Sequence, residues 1–180
     1  IKRLARAAEA MAALDLPFPV TFFGQRMLEY SVSSNGLLQL HPLIAGAMPS
    51  NSYSNVAIPD RAAPNGFVAA FWDDLLAVSG SRVVTRTLGA APDRRFVVQW
   101  TQFAFYGDDR ARLTFQAKLF EGSGAIEVHH CAITAGSEAM RATGASATVG
   151  IESPNGSVGR QHSFNDATGI STARAVRFVP

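Results

Sequence analysis

Two adjacent carboxylates, Asp73 and Asp74, directly follow an apolar run at positions 67–72. Such a run is typical of a buried strand, so both aspartates are expected at a strand end. Carboxylate and loop carbonyl oxygens are the ligands that Ca²⁺ prefers, which makes Asp73 and Asp74 candidate metal ligands. Neighbouring side chains on a strand point to opposite faces, so only one of the two is expected to face a given site. The alternative is that one aspartate caps a turn or accepts backbone N–H bonds while the other is solvated.

A second set of candidate ligand-binding residues mixes aromatic rings with charged groups near a predicted hairpin tip. Its members are Phe103, Phe105, Tyr106, Asp108 and Arg110. Aromatic rings beside polar groups are suited to stacking on a sugar, so the set predicts a carbohydrate platform. The alternative interpretation is that the rings pack in the core or cover a sheet edge.

Contiguous His129, His130 and Cys131 are the remaining residues with metal-binding or nucleophilic chemistry. On a strand, His129 and Cys131 point to one face and His130 to the other, which is poor geometry for a three-ligand zinc site. Cys131 is the only cysteine, so an intramolecular disulfide is impossible. Calcium is the one cofactor that the sequence leaves open.

Composition and charge exclude several classes of protein. The 180 residues are 47% hydrophobic with a net charge of +2, which excludes a disordered chain. No apolar run approaches the ~20 residues of a membrane span, so no membrane insertion is expected. The basic residues are scattered rather than clustered, which argues against a nucleic-acid partner. The chain begins at Ile1 without a signal-peptide core, and we interpret it as an excised or processed segment.

The first fifteen residues have the spacing of an amphipathic helix. Ile1, Leu4, Ala8, Met11 and Leu14 recur at intervals of three or four residues. The intervening residues are rich in alanine, and prolines at positions 17 and 19 would end a helix. We therefore predict an N-terminal α-helix or linker over residues 1–15 and a separate domain over residues 16–180.

Residues 16–180 alternate between short apolar-polar runs and turn residues. In the run 112–121, Leu113, Phe115, Ala117 and Leu119 share one face of the predicted strand. About ten such strands predict an all-β fold, an antiparallel β-sandwich with one N-terminal α-helix. Loops over residues 42–64, 104–111 and 153–163 are predicted to make the contacts with partners.

An ordered set of segments resembles a known family. They are LPFPVTFFG (16–24), YSVSSNGLL (30–38), IP (58–59), PNGFVAAFWDDL (64–75), APDRRFVVQW (91–100), LTFQA through GAIE (113–127) and ATVGIE (147–152). This set resembles the nidogen-like β-sandwich modules of animal matrix proteins and plexin-domain-containing receptors, and more closely those of large secreted bacterial proteins. The resemblance extends over about residues 16–178.

The resemblance implies a non-catalytic extracellular or cell-surface module that supports adhesion to a surface or matrix protein or a glycan. It brings no catalytic residue set, and the missing cysteines favour a bacterial surface protein over the animal members. Two alternatives stay open from the residues themselves. One is a glycan-processing enzyme on a β-sandwich, whose carboxylate pair would be distant in sequence. The other is homotypic assembly, in which an edge strand or the predicted N-terminal helix pairs between copies.

Overall fold

The fold was analysed in a computed structural model, which describes residues 2–4, 13–43 and 49–179. Short strands account for most of the regular structure, joined by turns rich in glycine, asparagine and proline. In chain order they are β1 (Lys2–Leu4), β2 (Leu14–Phe22), β3 (Gln25–Val32), β4 (Leu37–His41), β5 (Phe67–Trp72), β6 (Leu75–Leu76), β7 (Arg82–Leu88), β8 (Arg95–Phe105), β9 (Asp108–Phe120), β10 (Ile126–Thr134), β11 (Thr148–Glu152), β12 (Gly159–Phe164) and β13 (Arg174–Phe178). A single helical turn, α1 (Ala139–Ala142), precedes β11.

These strands form two antiparallel sheets whose inner faces pack together. The first sheet has the order β1-β7-β8-β9-β10-β13, and β6 pairs with β8 beside this path. The second sheet has the order β12-β11-β5-β4-β3-β2. This arrangement confirms the predicted all-β antiparallel sandwich.

Alternating side chains build the core between the sheets, as the sequence pattern predicts. Leu113, Phe115, Ala117 and Leu119 on β9 are all fully buried. The Trp100 ring stacks on Phe115 with centroids 5.0 Å apart. Its indole N–H donates a 2.8 Å hydrogen bond to the Ser33 carbonyl on the opposite sheet. The stacked rings lie on neighbouring strands of the first sheet, and the indole hydrogen bond joins this sheet to the second one just beyond the end of β3.

The predicted N-terminal helix is wrong where the structure describes this segment. Residues 2–4 form β1 and pair antiparallel with β7, and β2 already begins at Leu14. Residues 1 and 5–12 lie outside the described residues. From Leu14 onward burial alternates with a period of two, which is the periodicity of a strand. Pro17 and Pro19 fit β2 because it is an edge strand, where a missing N–H leaves no partner unpaired.

The outer face of the second sheet carries a small second core. Leu37, Phe67, Ala69 and Trp72 form its floor, and Ile58 covers them. Ile58 belongs to residues 49–66, which we call the strap. The strap thus hides apolar side chains that the sheet would otherwise present to water.

Polar side chains from the sheet fix the strap along its length. The Gln39 side-chain oxygen accepts the Ser50 N–H at 2.8 Å, and the Trp72 indole N–H donates to the Ser52 carbonyl at 3.0 Å. The Gln161 side-chain oxygen accepts the Ile58 N–H at 2.8 Å. The predicted contact loop 42–64 is therefore held down on the sheet over much of its described part.

Candidate functional site

The two sets of site residues predicted from the sequence lie at the same end of the sandwich. Asp73 and Asp74 follow β5, and the chain continues directly into β6. Leu75 of β6 pairs with Phe105 of β8, just before the β8–β9 hairpin tip at Tyr106. Strand pairing therefore brings together carboxylates and aromatic residues that are some thirty positions apart in the sequence.

Arg141, from α1, connects these residues and was not predicted. Its Nη2 lies 3.0 Å from Oδ1 of Asp73, and its Nη1 donates a 3.0 Å hydrogen bond to the Tyr106 carbonyl. The guanidinium also lies 4.4 Å from the centre of the Phe105 ring, a cation–π distance. A lone arginine in an Ala- and Ser-rich loop carries no sequence pattern that would have identified it.

The Asp73 carboxylate is buried and accepts hydrogen bonds from several protein donors. Oδ1 accepts the Asp74 N–H at 2.7 Å, and Oδ2 accepts the Ser146 hydroxyl at 2.6 Å, in addition to the Arg141 contact. Burial raises the pKa of Asp73, while the bonds from Ser146 and Arg141 oppose that rise. Both oxygens are thus engaged by the protein, so this carboxylate serves to anchor the loop that carries Arg141.

The same end of the sandwich gives no further support to a metal centre at Asp73 and Asp74. Asp74 is half-buried, and its carbonyl accepts the Tyr106 N–H at 2.9 Å. Across residues 2–4, 13–43 and 49–179, no group of three or more His, Cys, Asp or Glu is arranged to hold a metal ion.

Asp108 is a second anchor for this loop. It is only 3% exposed, although it follows the hairpin tip. Its Oδ2 accepts the Glu138 N–H at 3.0 Å, and this bond is the main reason why the pKa of Asp108 is lowered. Gly136 passes so close to the carboxylate that any side chain there would overlap it. The loop over residues 136–146 is therefore fixed at two points by buried aspartates.

The other predicted ligand-binding residues divide between core and surface. Phe103 and Phe105 are buried and pack in the main core, so their rings are not available for stacking on a surface ligand. Tyr106 is 66% exposed, and Arg110 is also exposed. Met140, which the sequence analysis did not single out, is 69% exposed on α1. We call Tyr106, Arg110 and Met140 the end surface.

A shallow open depression of about 570 Å³ lies beside the end surface. Its lining comes from the anchored loop and includes Glu138, Met140 and Arg141. A narrower apolar pocket of about 210 Å³ lies between the sheets near the β2–β3 turn, where Phe22, Phe23 and Phe178 contribute to its walls. The end surface combines exposed apolar side chains with a rigid base, the loop and hairpin that Asp73 and Asp108 hold in place.

The histidine pair on β10 separates to the two faces of the strand, as alternation predicts. His130 points inward, its Nε2 lies 3.0 Å from the Ala70 carbonyl, and burial lowers its pKa to about 4. His129 lies on the outer face with its Nε2 2.8 Å from Oε2 of Glu127. Cys131 is exposed, but partial burial of its thiol still raises the pKa.

A buried carboxylate that the sequence analysis did not identify lies under the strap. Glu152 ends β11, is 0% exposed, and accepts the Asp60 N–H on Oε2 at 2.7 Å. Burial raises its pKa to about 6, the negative charge of Asp60 adds to the rise, and the Asp60 N–H opposes it. From alternation alone, Glu152 is expected on the outer, solvent-exposed face of β11. It is buried instead because the strap covers this face, and the sequence does not reveal that cover.

This pKa predicts a pH-dependent contribution to stability. The folded protein holds the Glu152 proton more tightly than the unfolded chain, whose ordinary value is 4.5. The protonated form therefore favours folding at low pH, and this contribution is lost as the pH rises through about 6. We expect Glu152→Gln to raise the free energy of unfolding by about 1–2 kcal/mol at pH 7.5 in metal-free buffer. Urea denaturation at pH 4 should show little difference, and an equal gain at both pH values would contradict the assignment.

Comparison with known protein families identifies the family of this chain. The sequence profile of a family described as NIDO related matches residues 3–178. The chain belongs to the NIDO-related family. The match confirms the nidogen-like resemblance and includes residues 3–15, which the sequence analysis had set apart as a helix or linker.

Membership in the NIDO-related family favours an extracellular binding or structural module. No curated protein and no solved structure matches the chain. Among the described residues, no helix is long and apolar enough to cross a membrane. The bacterial origin, the adhesive role and the partner are not addressed by this comparison and stay predictions.

Proposed function

We propose that this NIDO-related chain is a non-catalytic, extracellular or cell-surface module that supports adhesion through its end surface. The observation that carries the proposal is the pair of exposed side chains, Tyr106 and Met140, at a loop and hairpin that buried aspartates hold in place. Family membership supports the extracellular setting.

The end surface has the composition of a binding surface. Tyrosine, methionine and arginine are enriched where proteins contact one another, and Tyr106, Met140 and Arg110 supply one of each. A tyrosine also presents a ring face that stacks on sugars and a hydroxyl that forms hydrogen bonds. The proposed partner is accordingly a surface or matrix protein or a glycan.

The proposed mechanism is that a rigid loop and hairpin present Tyr106 and Met140 to the partner. Arg141 ties α1 to β5 and to the β8–β9 hairpin, and Asp108 ties the same loop to β9. Ordering a loop upon binding reduces affinity, so a loop that is already fixed loses less free energy when a partner docks. In this proposal Asp73 and Asp108 contribute to binding without touching the partner.

The contacts of the potentially reactive side chains support the proposed non-catalytic role. Asp73 and Asp108 accept hydrogen bonds from the protein's own donors, which suits anchors better than general acids or bases. The raised pKa of Cys131 disfavours the thiolate that a cysteine nucleophile requires.

A binding panel with two readouts tests the proposal. The purified chain is passed over a glycan array and a set of immobilised matrix proteins, and the same ligands are analysed by mass spectrometry after incubation. We expect specific retention of at least one ligand with no change in its mass. Conversion of a ligand, abolished by Asp73→Ala in a variant that still folds, would replace the proposal with an enzyme. Absence of retention together with concentration-dependent self-association in light scattering would replace it with homotypic assembly.

A further inference from the structure

Glu152 differs from the other buried carboxylates because part of it lacks a partner. Its Oε1 is buried and has no hydrogen-bond partner within the described part of the chain. Asp73, by comparison, has the Arg141 guanidinium at 3.0 Å. The ion pairs found among the described residues include neither Glu152 nor Asp60. A buried carboxylate without a positive neighbour is unfavourable unless a proton or a cation compensates its charge.

The strap brings further oxygen atoms to the same place. Asp60 donates its N–H to Glu152, and the charges of the two carboxylates interact. Asn65, five residues further along the strap, has a buried Oδ1 that also has no hydrogen-bond partner in the described structure. The Asp60 carbonyl and the Asn65 Oδ1 both approach Gly156, whose missing Cβ would lie 2.6 Å from that Oδ1. Carboxylate, amide and carbonyl oxygens therefore gather where the strap meets the end of β11.

The candidate ligand atoms are all oxygens. They are Oε1 of Glu152, Oδ1 of Asn65, and the carbonyl and carboxylate of Asp60, whose Oδ1 also accepts the Ala62 N–H at 2.9 Å. Ca²⁺ binds six to eight oxygen ligands in a flexible geometry and accepts carboxylates, side-chain amides, carbonyls and water together. Mg²⁺ demands a stricter octahedron and keeps more of its water, so a mixed set on a loop suits calcium better.

We propose that a calcium ion binds under the strap, with Glu152 Oε1 as its buried ligand and oxygens of Asp60 and Asn65 beside it. The ion neutralises the buried carboxylate and links the strap to β11 in the second sheet. Calcium therefore stabilises the folded chain, and the calcium site lies on β11 and the strap, away from Asp73 and Asp74. Because protons compete for the same carboxylate, calcium binding weakens as the pH falls below 6.

Calorimetric titration of the chelator-treated chain with CaCl2 at pH 7.5 tests the site, with thermal unfolding as a second readout. We expect the wild-type chain to bind calcium and to gain thermal stability from it. Glu152→Gln, which keeps the size of the side chain, should lose both responses while still folding. Asp109→Asn, at an exposed carboxylate on the β8–β9 hairpin, should behave as the wild type.

A second variant adds charge instead of removing it. Asn65→Asp places another carboxylate at the site, so we expect a lower midpoint of unfolding in chelator and tighter calcium binding than in the wild type. The proposal is overturned if the wild type gives neither a heat of binding nor a calcium-dependent shift in unfolding. It is equally overturned if calcium binding persists in Glu152→Gln or disappears in Asp74→Asn.

Discussion

Gly36→Ala is expected to lower the free energy of unfolding by about 4 kcal/mol. Gly36 lies in the β3–β4 turn at a φ of +83°, where an L-residue loses about 1 kcal/mol. A Cβ at this position would also overlap the Phe71 carbonyl group, lying 2.6 Å from its carbon atom. Neither the β3–β4 turn nor β5 can shift freely to relieve this overlap, because the Gly36 carbonyl accepts the Ala70 N–H at 3.0 Å. Overpacking of this kind adds up to about 3 kcal/mol.

Gly107→Ala is the matched control for this prediction. Gly107 has a φ of +85°, but no atom lies within 4 Å of the position that its Cβ would take. The same substitution should therefore cost only about 1 kcal/mol. Urea denaturation of both variants separates the steric effect from the backbone strain. Equal losses in the two variants would contradict the close packing of the β3–β4 turn against β5.

Asp73→Ala is expected to cost about 3 kcal/mol, because it removes the acceptor for Arg141 and Ser146. The Arg141 side chain is only 17% exposed, so its guanidinium would be left partly buried without a carboxylate. The destabilisation should be accompanied by loosening of the loop over residues 136–146. Hydrogen exchange of the amides in this loop, compared with urea denaturation of the whole chain, measures both effects.

A double-mutant cycle isolates the contribution of the ion pair. In Asp73→Ala/Arg141→Met neither member of the buried pair is left without its partner, and the exposed Glu138 loses only a 3.7 Å contact, so the double variant should be destabilised by less than the sum of the two single variants. We expect a coupling free energy of about 1–2 kcal/mol, within the range for residues in direct contact. Strictly additive effects would mean that Arg141 does not depend on Asp73, and the anchoring role would fail.

The sandwich could be predicted because its strands obey a short-range rule. Alternation at Leu113, Phe115, Ala117 and Leu119 is visible within a few residues, and so are the turns that separate such runs. The N-terminal segment was misassigned because spacings of three or four among many alanines occur by chance, whereas the pairing of β1 with β7 joins distant parts of the chain.

The site was only partly predictable because its organisation depends on long-range contacts. Asp73, Tyr106 and Asp108 were singled out from the sequence, and they do lie at one end of the fold. Their roles could not be predicted, since Arg141 reaches Asp73 from 68 residues away. Glu152 was missed for the same reason, because the strap that buries it contacts it through a residue 92 positions distant.

A matched pair of tyrosine substitutions tests the adhesive end surface most directly. Tyr106 and Tyr53 are 66% and 63% exposed, but Tyr53 belongs to the strap over the second sheet and not to the β8–β9 hairpin or the anchored loop. For the panel ligand that the wild-type chain retains, surface plasmon resonance should show affinity lowered about tenfold or more by Tyr106→Ser, as for a residue at the centre of an interface. Met140→Ser should have a similar effect, and Tyr53→Ser should leave the affinity unchanged. Unchanged affinity in Tyr106→Ser, or an equal loss in Tyr53→Ser, would contradict binding through the end surface.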